Sequence, residues 1–327
     1  MNWRRMLRCN EFYLFLLVVL FCAAVTLKNP VFLSPGNLLS MLKTSSGSAV
    51  FAVGILIVLI SGGFDVSSTS IAICAQYVTV NLVLRLGWDH IAVAFLVAAA
   101  LGACMGAVNA AFVAFFRLPT LIVTLGTASL FHGALLEFVG TKAVNLGDLP
   151  QCFKTFGLVT LWPKGPSVLF GLLCAVVAVS WVILRHTMTG RGIYAIGGDI
   201  EAARNCGFRV KRIQFFIYCY VGMLAGIAGI MHLCLIRYAN PNYLVGTEMA
   251  IIAAVVLGGA RITGGTGTLT GTMLGMALIV VVQKNLVLLG LSSYWEQFFI
   301  GAVIIVGVAL TYGDFGAAFG RLRTRES

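Results

Sequence analysis

Long apolar runs recur along this chain and constrain its fold more than any other feature. Nine of them approach the length needed to cross a bilayer, which takes about 20 apolar residues for a hydrocarbon core of roughly 30 Å. They lie near residues 12–27, 44–60, 69–86, 91–115, 118–139, 166–184, 213–235, 267–283 and 296–312. A further run, 247–259, is too short to cross upright and predicts a short, broken or re-entrant helix. The sequence therefore predicts an all-α polytopic membrane protein with about ten transmembrane helices.

The composition excludes the soluble alternatives. Of the 327 residues, 60% are hydrophobic and 10% are charged, whereas an average soluble domain carries about 25% charged residues. The mean hydropathy of +0.99 agrees with this reading. The net charge of +11 does not indicate a nucleic-acid partner. The basic residues lie in short clusters between apolar runs and form no stripe with interleaved aromatic residues.

The distribution of Lys and Arg predicts how the chain is oriented. With ten spans and a cytoplasmic N-terminus, the larger share of the 22 basic residues falls on the cytoplasmic side, as the positive-inside rule requires. The loop 185–212 and the tail 313–327 are then cytoplasmic, and the loop 140–165 faces outward. We expect the first run to remain as a membrane helix, because no convincing signal-peptide cleavage site precedes Lys28. We expect residues 1–327 to form a single transmembrane domain.

The sequence contains no catalytic, nucleotide-binding or metal-binding motif. It has no Gly-Lys dipeptide and so cannot form a P-loop. The stretch GGTGTLTG at 264–271 has the glycines of a dinucleotide-binding loop without their spacing. The four histidines are scattered, and the nine cysteines show no C-x-x-C spacing. We therefore expect no enzyme activity, no cofactor and no metal site in this chain.

The cytoplasmic loop 185–212 contains the most informative polar pattern. A predicted Gly-Gly turn at 197–198 precedes Asp199, whose side chain can cap a short helix by accepting backbone N–H bonds. Gly207 supplies the stop expected at a helix C-terminus. Between the cap and the stop lie Glu201, Ala202, Ala203 and Arg204. A solvated basic turn is the simpler reading, but a capped helix that projects between spans suits docking into a groove of another protein.

Polar residues in or near the apolar runs are candidates for a translocation path. Asp65 follows a Gly-Gly pair between the second and third runs, where a carboxylate is either functional or an N-cap of the third helix. Glu248 opens the short run 247–259, where a helix N-terminus would stabilise its charge. Gln76 and Asn109 are equally plausible as path lining or as interhelical hydrogen bonds. Thr124 could hydrate a pathway or bond back to a carbonyl of its own helix, and His132 follows on a nearby face.

Glycines in the last third of the chain predict close helix packing rather than a binding site. Small residues at four-residue spacing let two helix backbones approach each other in lipid. The glycines assigned to this role are Gly258, Gly259, Gly267, Gly271 and Gly275.

Three stretches, in this order along the chain, point to one family. They are GGFDVSS at 62–68, GRGIYAIGGDIEAARNCGF at 190–208 and GTEMAIIAAVVLGGARITGGTGTLTGTMLG at 246–275. Together they resemble the permease subunits of bacterial ABC importers for ribose, xylose, arabinose, galactose and related simple sugars. The resemblance implies a dimer of identical or different permease chains in the bacterial inner membrane. It also implies a separate ATPase subunit that binds ATP and an extracytoplasmic sugar-binding protein that docks in part on the loop 140–165. Residues 199–207 would be the coupling helix that contacts the ATPase.

Two other classes of transporter stay open from the residues alone. A secondary transporter driven by H⁺ or Na⁺ needs carboxylates near the membrane midplane and commonly contains inverted repeats. Asp65, Glu137 and Glu248 all lie near the ends of apolar runs instead. A permease of the related branched-chain amino-acid importers would need a more polar lining for a zwitterionic substrate.

Overall fold

The computed structural model describes residues 10–285 and, beyond them, residues 292, 295, 298, 301, 302 and 305. Within this part the chain forms twelve α-helices and no β-strand. They are α1 (Asn10–Lys28), α2 (Pro35–Ile60), α3 (Ser68–Leu86), α4 (Ile91–Ala114), α5 (Thr120–Phe138), α6 (Gln151–Phe156), α7 (Val168–His186), α8 (Met188–Gly198), α9 (Ile200–Asn205), α10 (Val210–Ile236), α11 (Glu248–Leu257) and α12 (Leu269–Asn285). A short 3₁₀ helix, Pro30–Leu33, joins α1 to α2.

The helices confirm the predicted all-α polytopic class. Seven of those described, α1 to α5, α7 and α10, are long and apolar enough to cross a membrane. The apolar helices α11 and α12 are shorter, with 10 and 17 residues. The run 247–259 therefore forms a short helix, as predicted. The predicted span 296–312 falls almost entirely outside the described residues, and the tail 313–327 falls wholly outside them.

The centre of the bundle is α10, which packs against α2, α3 and α4. Its closest neighbour is α4, because glycines on both helices remove the side chains between them. A Cβ added at Gly102 would collide with the carbonyl of Gly222, and one added at Gly226 would collide with the carbonyl of Ala98. This backbone-to-backbone contact is the small-residue packing that membrane helices use in place of hydrophobic burial.

Two helices begin inside the bundle rather than at its edge. Gly63 lies against Tyr218, and Ala72 near the start of α3 lies against Gly229. At 1.5 Å per residue these two contacts are about 12 Å and 29 Å along α10 from its first residue. The irregular segment between α2 and α3 is therefore buried from Asp65 to Ser67, as non-helical backbone at membrane depth must be, whereas Gly62 is exposed. The second such helix is α11, which starts at Glu248 beside the first turn of α3.

The loop 140–165 is ordered by contacts with other parts of the chain. Val144 pairs with Ala239 through two backbone hydrogen bonds of 2.9 and 3.1 Å. The loop also contains α6, where the N–H of Cys152 donates to the carboxylate of Asp89 at 2.8 Å. This hydrogen bond lowers the pKa of Asp89 below its usual range. Burial, with the nearby Asp89 carboxylate, raises the pKa of the Cys152 thiol to about 12.

The expected Gly-Gly turn at 197–198 is wrong, because both residues belong to the last turn of α8. The reason is tertiary. Gly197 lies so close to the carbonyl of Ile60 and the backbone of Gly265 that any side chain there would collide with them. The glycine is thus required by close packing of a helix end, and the chain turns out of α8 only at Asp199.

Candidate translocation site and coupling helix

We call the irregular segment 61–67, between α2 and α3, the first break. It is built around Asp65, which is buried. One carboxylate oxygen accepts hydrogen bonds from the N–H of Ser67 at 2.8 Å and from its hydroxyl at 2.7 Å. The same hydroxyl accepts from the side-chain amide of Asn109 on α4, at 2.7 Å. Asp65 therefore forms a turn before α3, whose N-cap position is taken by Ser67. This relay joins the break between α2 and α3 to a neighbouring helix.

Threonines of α5 satisfy the backbone on the other side of the break. The hydroxyl of Thr120 accepts from the N–H of Phe64 at 2.9 Å. The hydroxyl of Thr124 accepts from the N–H of Val66 at 3.3 Å and lies 3.3 Å from the carbonyl oxygen of Phe64. Because an unpaired amide in an apolar environment costs several kcal/mol, these contacts hold the irregular segment in place.

We call the non-helical segment 237–247, between α10 and α11, the second break. It meets the first break through Glu248, the first residue of α11. One oxygen of this half-buried carboxylate accepts from the hydroxyl of Thr69 at 3.0 Å and from the N–H of Gly246 at 3.0 Å. The negative charge lies in the first turn of α11, where the helix dipole stabilises it. The structure thus brings Asp65, Asn109 and Thr124 together around the break, and it joins Glu248 to the start of α3.

The other two candidate path residues lie elsewhere. Gln76 is buried on α3 more than two turns beyond the break. His132 on α5 contacts the carbonyl oxygen of Pro241 at 3.0 Å, in the segment that precedes α11. Sequence reasoning did not select Ser67 and Thr69 as site residues. The sequence feature that could have identified them is the run of four hydroxyl residues at 67–70, which begins two residues after Asp65.

The short helix predicted within the loop 185–212 forms as α9. One oxygen of Asp199 accepts from the N–H groups of Glu201 at 2.8 Å and Ala202 at 3.0 Å, which is an N-cap. Gly207 adopts a φ of +86° and ends the turn. Arg204 and Glu201 form an exposed ion pair of 3.0 Å, whereas Ala203 faces inward and is buried.

The helix α8 connects α9 to the rest of the bundle. Gly197 at its end lies against Ile60, the last residue of α2, whose carbonyl also accepts from the N–H of Gly265 at 2.9 Å. The hydroxyl of Tyr194 donates to the carbonyl of Gly267 at 2.9 Å, and burial raises the pKa of this phenol. The helix α8, which leads into α9, therefore contacts both the end of α2 and the loop between α11 and α12.

The glycines assigned to packing lie between α11 and α12 or in the loop that joins them. Side chains at Gly258, Gly271 and Gly275 would each collide with backbone atoms of the facing helix. Gly259 has a φ of +91° in the turn after α11. Gly267 precedes α12 rather than belonging to its face, and it packs against side chains of α2.

A cavity of about 270 Å³ separates α9 from the first break. Its walls include Gly63 at one end and Asp199 at the other, with Gln214 and Tyr218 of α10 between them. In the described part of the chain the buried hydroxyl of Tyr218 has no hydrogen-bond partner. The cavity is polar and large enough to hold several water molecules.

Comparisons with known proteins match almost the whole chain to permeases of transport systems. Residues 37–308 match the permease family described as "Branched-chain amino acid transport system / permease component". The chain belongs to this family. It is 34% identical to the ribose import permease protein RbsC of Escherichia coli K12 over 289 residues, 88% of each chain. It is 33% identical to the autoinducer 2 import system permease protein LsrC of Enterobacter sp. 638 over 322 residues, 97% of this chain and 91% of the relative.

The ribose import permease protein RbsC of Haemophilus influenzae is similar as well, with 32% identity over 301 residues and 90% of each chain covered. No solved structure matches the chain. Membership in a family of permease components makes this chain a multi-pass membrane protein that is one part of a transport system. This agrees with the predicted transport function and not with a free-standing membrane enzyme.

Proposed function

We propose that this chain is the permease subunit of an ABC importer for a simple sugar. It lies in the bacterial inner membrane with both termini in the cytoplasm. It pairs with a second permease chain, identical or different, to enclose the path. A separate ATPase subunit binds and hydrolyses ATP, so that this chain needs no cofactor of its own. An extracytoplasmic binding protein delivers the sugar, and the loop 140–165 forms part of its docking surface.

The observation that carries the proposal is the position of α9. A capped six-residue helix with an exposed ion pair projects from the bundle. The preceding helix α8 lies against the end of α2 and the loop before α12 through Gly197. The coupling residues are Asp199, Glu201, Ala202, Ala203, Arg204 and Gly207. When the ATPase displaces α9, α8 moves the two breaks relative to α10, and the path changes between two packed states.

The chemistry of the path favours a neutral polyhydroxyl solute. Around the breaks, hydroxyl and amide groups of Ser67, Thr69, Asn109 and Thr124 stand beside the two carboxylates Asp65 and Glu248. Both carboxylates are engaged by hydrogen bonds from the protein. A relative along 88% of the chain is named for ribose import, and we assign a sugar of this class as the substrate.

Reconstituted transport tests the proposal. The chain is placed in proteoliposomes with its ATPase subunit and binding protein, and uptake of labelled ribose is measured together with ATP hydrolysis. We expect Arg204→Glu, and separately deletion of residues 199–207, to abolish uptake and to remove the stimulation of ATPase activity. Arg191→Glu is the matched control, because Arg191 is an exposed cation on the neighbouring helix α8. It should retain both activities.

The description of the family gives a second candidate substrate, a branched-chain amino acid. Labelled leucine in the same vesicles separates the two. Uptake of leucine but not of a sugar would reassign the substrate and leave the coupling argument intact. Transport and stimulated ATPase activity that survive in both α9 variants would overturn the coupling role.

A further inference from the structure

An open basic groove lies between the turn that joins α4 to α5 and the connection from α9 to α10. Its volume is about 840 Å³. Its charged lining consists of five cations and one carboxylate, namely Arg117, Arg204, Arg209, Lys211, Arg212 and Glu201. The carboxylate is already paired with Arg204 at 3.0 Å. The other four cations form no ion pair within the part of the chain that the structure describes.

Four exposed aromatic side chains lie near residues that line this groove, as chain neighbours or through a contact with Lys211. Phe112 lies on the last turn of α4 and Phe116 follows just after its end, and their ring centroids are 5.8 Å apart. Phe115, the C-cap of α4, faces Phe215 of α10 at 6.4 Å. All four rings are exposed. The ammonium of Lys211 lies 5.8 Å from the centre of the Phe115 ring. Exposed aromatic rings with cations beside them, at the ends of membrane helices, are typical of the membrane–water interface.

We propose that this groove binds the headgroup of an anionic phospholipid. Arginine guanidinium groups bind phosphate oxygens through paired hydrogen bonds, and four unpaired cations favour a negative ligand. The acyl chains of the lipid would cover the phenylalanines and the apolar wall that includes Val113 and Leu118. Basic pockets between membrane helices on the cytoplasmic side bind acidic lipid headgroups in this way.

Two other anionic ligands fit the observations less well. Inorganic phosphate would satisfy the cations alone and leave the aromatic border without a partner. An acidic surface of a soluble protein would pair with the cations but would not need exposed aromatic rings at the ends of membrane helices, where such rings contact lipid. An amphiphile uses the charges and the rings together. Ile200 of α9 also lines the groove, so a bound lipid would contact this helix.

Titration of the purified full chain with dioleoyl phosphatidylglycerol tests the proposal, with bound lipids counted by native mass spectrometry in a neutral detergent. The test variant is Arg117→Gln with Arg212→Gln, which removes one cation from each wall. Because each interfacial cation contributes about 1 kcal/mol, we expect roughly thirtyfold weaker binding. The control, Arg185→Gln with Arg191→Gln, removes two exposed cations outside the groove and should bind the lipid as tightly as the unmodified chain.

Several results would overturn the proposal. One is equal weakening in both variant pairs, which would indicate nonspecific interfacial charge. Another is equally tight binding of phosphatidylcholine, and a third is displacement of the lipid by millimolar inorganic phosphate. Lipid binding that is unchanged in the groove variant, with loss of ATPase-subunit binding, would assign the groove to a protein partner. If the double variant does not fold, Lys211→Gln alone provides the test and should weaken binding about fivefold.

Discussion

Asp65 shows how single residues hold the break between α2 and α3. A buried carboxylate is costly unless donors surround it, and Ser67 supplies two of them. Ser67 is in turn oriented by Asn109 from another helix. The three residues therefore act as one relay, and removal of the acceptor leaves the donors of Ser67 unpaired.

Replacement of Asp65 tests this relay. Asp65→Ala leaves the buried N–H of Ser67 without its acceptor, which should lower the free energy of unfolding by about 1–3 kcal/mol. Asp65→Asn keeps a side-chain oxygen at the same position and should lose less than half as much. Thermal unfolding of the purified protein in detergent measures both variants. Equal destabilisation by Asn and Ala would contradict the relay and would assign the effect to the charge itself.

The contact between Asp89 and α6 has a pH dependence of known sign. The N–H of Cys152 lowers the pKa of Asp89 in the folded chain, so its stabilising effect is present above the ordinary Asp pKa. The effect is lost as the pH falls through the lowered folded value. We expect hydrogen exchange of the α6 amides to accelerate below about pH 4, the ordinary Asp range. Asp89→Asn should remove this pH dependence, and an unchanged exchange profile in that variant would contradict the assignment.

Some contacts of the candidate site could be predicted from the local sequence, and others could not. Asp199 and Gly207 delimit α9 through contacts within one turn of the helix, and the sequence predicts such contacts directly. The distant partners of Ser67 and Thr69 could not be predicted in the same way. Asn109 reaches Ser67 across 42 residues of chain, and Thr69 reaches Glu248 across 179. Those pairings depend on the packing of three helices, α3, α4 and α11, which no local pattern contains.

At the scale of elements, glycines decide how closely two segments approach. The end of α8 touches the end of α2 only because position 197 has no side chain. The adjacent Gly198 has open space around it. These two neighbouring residues separate the effect of close contact from the general effect of glycine in a helix.

Alanine substitutions at Gly197 and Gly198 test whether the contact between α8 and α2 is needed for transport. Gly197→Ala introduces a methyl group that collides with the carbonyl of Ile60, and we expect loss of more than 90% of ATP-driven uptake. Gly198→Ala meets nothing within 4 Å and should retain most of the uptake. Both variants are assayed in proteoliposomes at equal protein content. Full activity of Gly197→Ala would show that this contact does not transmit movement.

The contact between α11 and α12 permits a comparable test of stability. A methyl group at Gly275 would collide with the backbone of Ala254, and Gly275→Ala should destabilise the protein by about 1–3 kcal/mol, the range for overpacking. Gly126→Ala on α5 meets nothing within 4 Å and should change stability by less than 1 kcal/mol. Thermal unfolding in the same detergent compares them, and similar melting temperatures would contradict the packing role of Gly275.

The elements themselves were largely predictable from hydropathy, because a membrane helix must be a long apolar run. The apolar runs match α1, α3 to α5, α7 and α10 closely in position, whereas α2 begins at Pro35, well before its run 44–60. Hydropathy did not predict α8, whose last turn replaces the expected Gly-Gly turn. It also could not show that α3 begins inside the bundle beside Gly229, because depth is set by packing against α10 and not by composition.

For the whole molecule, the central claim is that a separate ATPase drives this permease through α9 from the cytoplasmic side. Two sets of contacts lie on the route that this claim requires. Glycines bring the backbones of α4 and α10 together at the centre of the bundle. Beside this centre, Thr69 and Glu248 join the two breaks. The claim requires that movement of α9 change the packing around the breaks while the contact between α4 and α10 stays in place.

A native thiol allows the most direct measurement of this claim. Cys206, at the C-terminal end of α9, is exposed, whereas Cys152 on the opposite loop has a pKa raised to about 12 and should react slowly. A membrane-impermeant maleimide is added to intact cells or to inverted membrane vesicles, and the labelled residue is identified by peptide mass spectrometry. If the ATPase subunit contacts α9 from the cytoplasm, Cys206 is labelled only in inverted vesicles and is protected when the ATPase subunit is bound. Labelling of Cys206 in intact cells, or labelling that the ATPase subunit leaves unchanged, would contradict it.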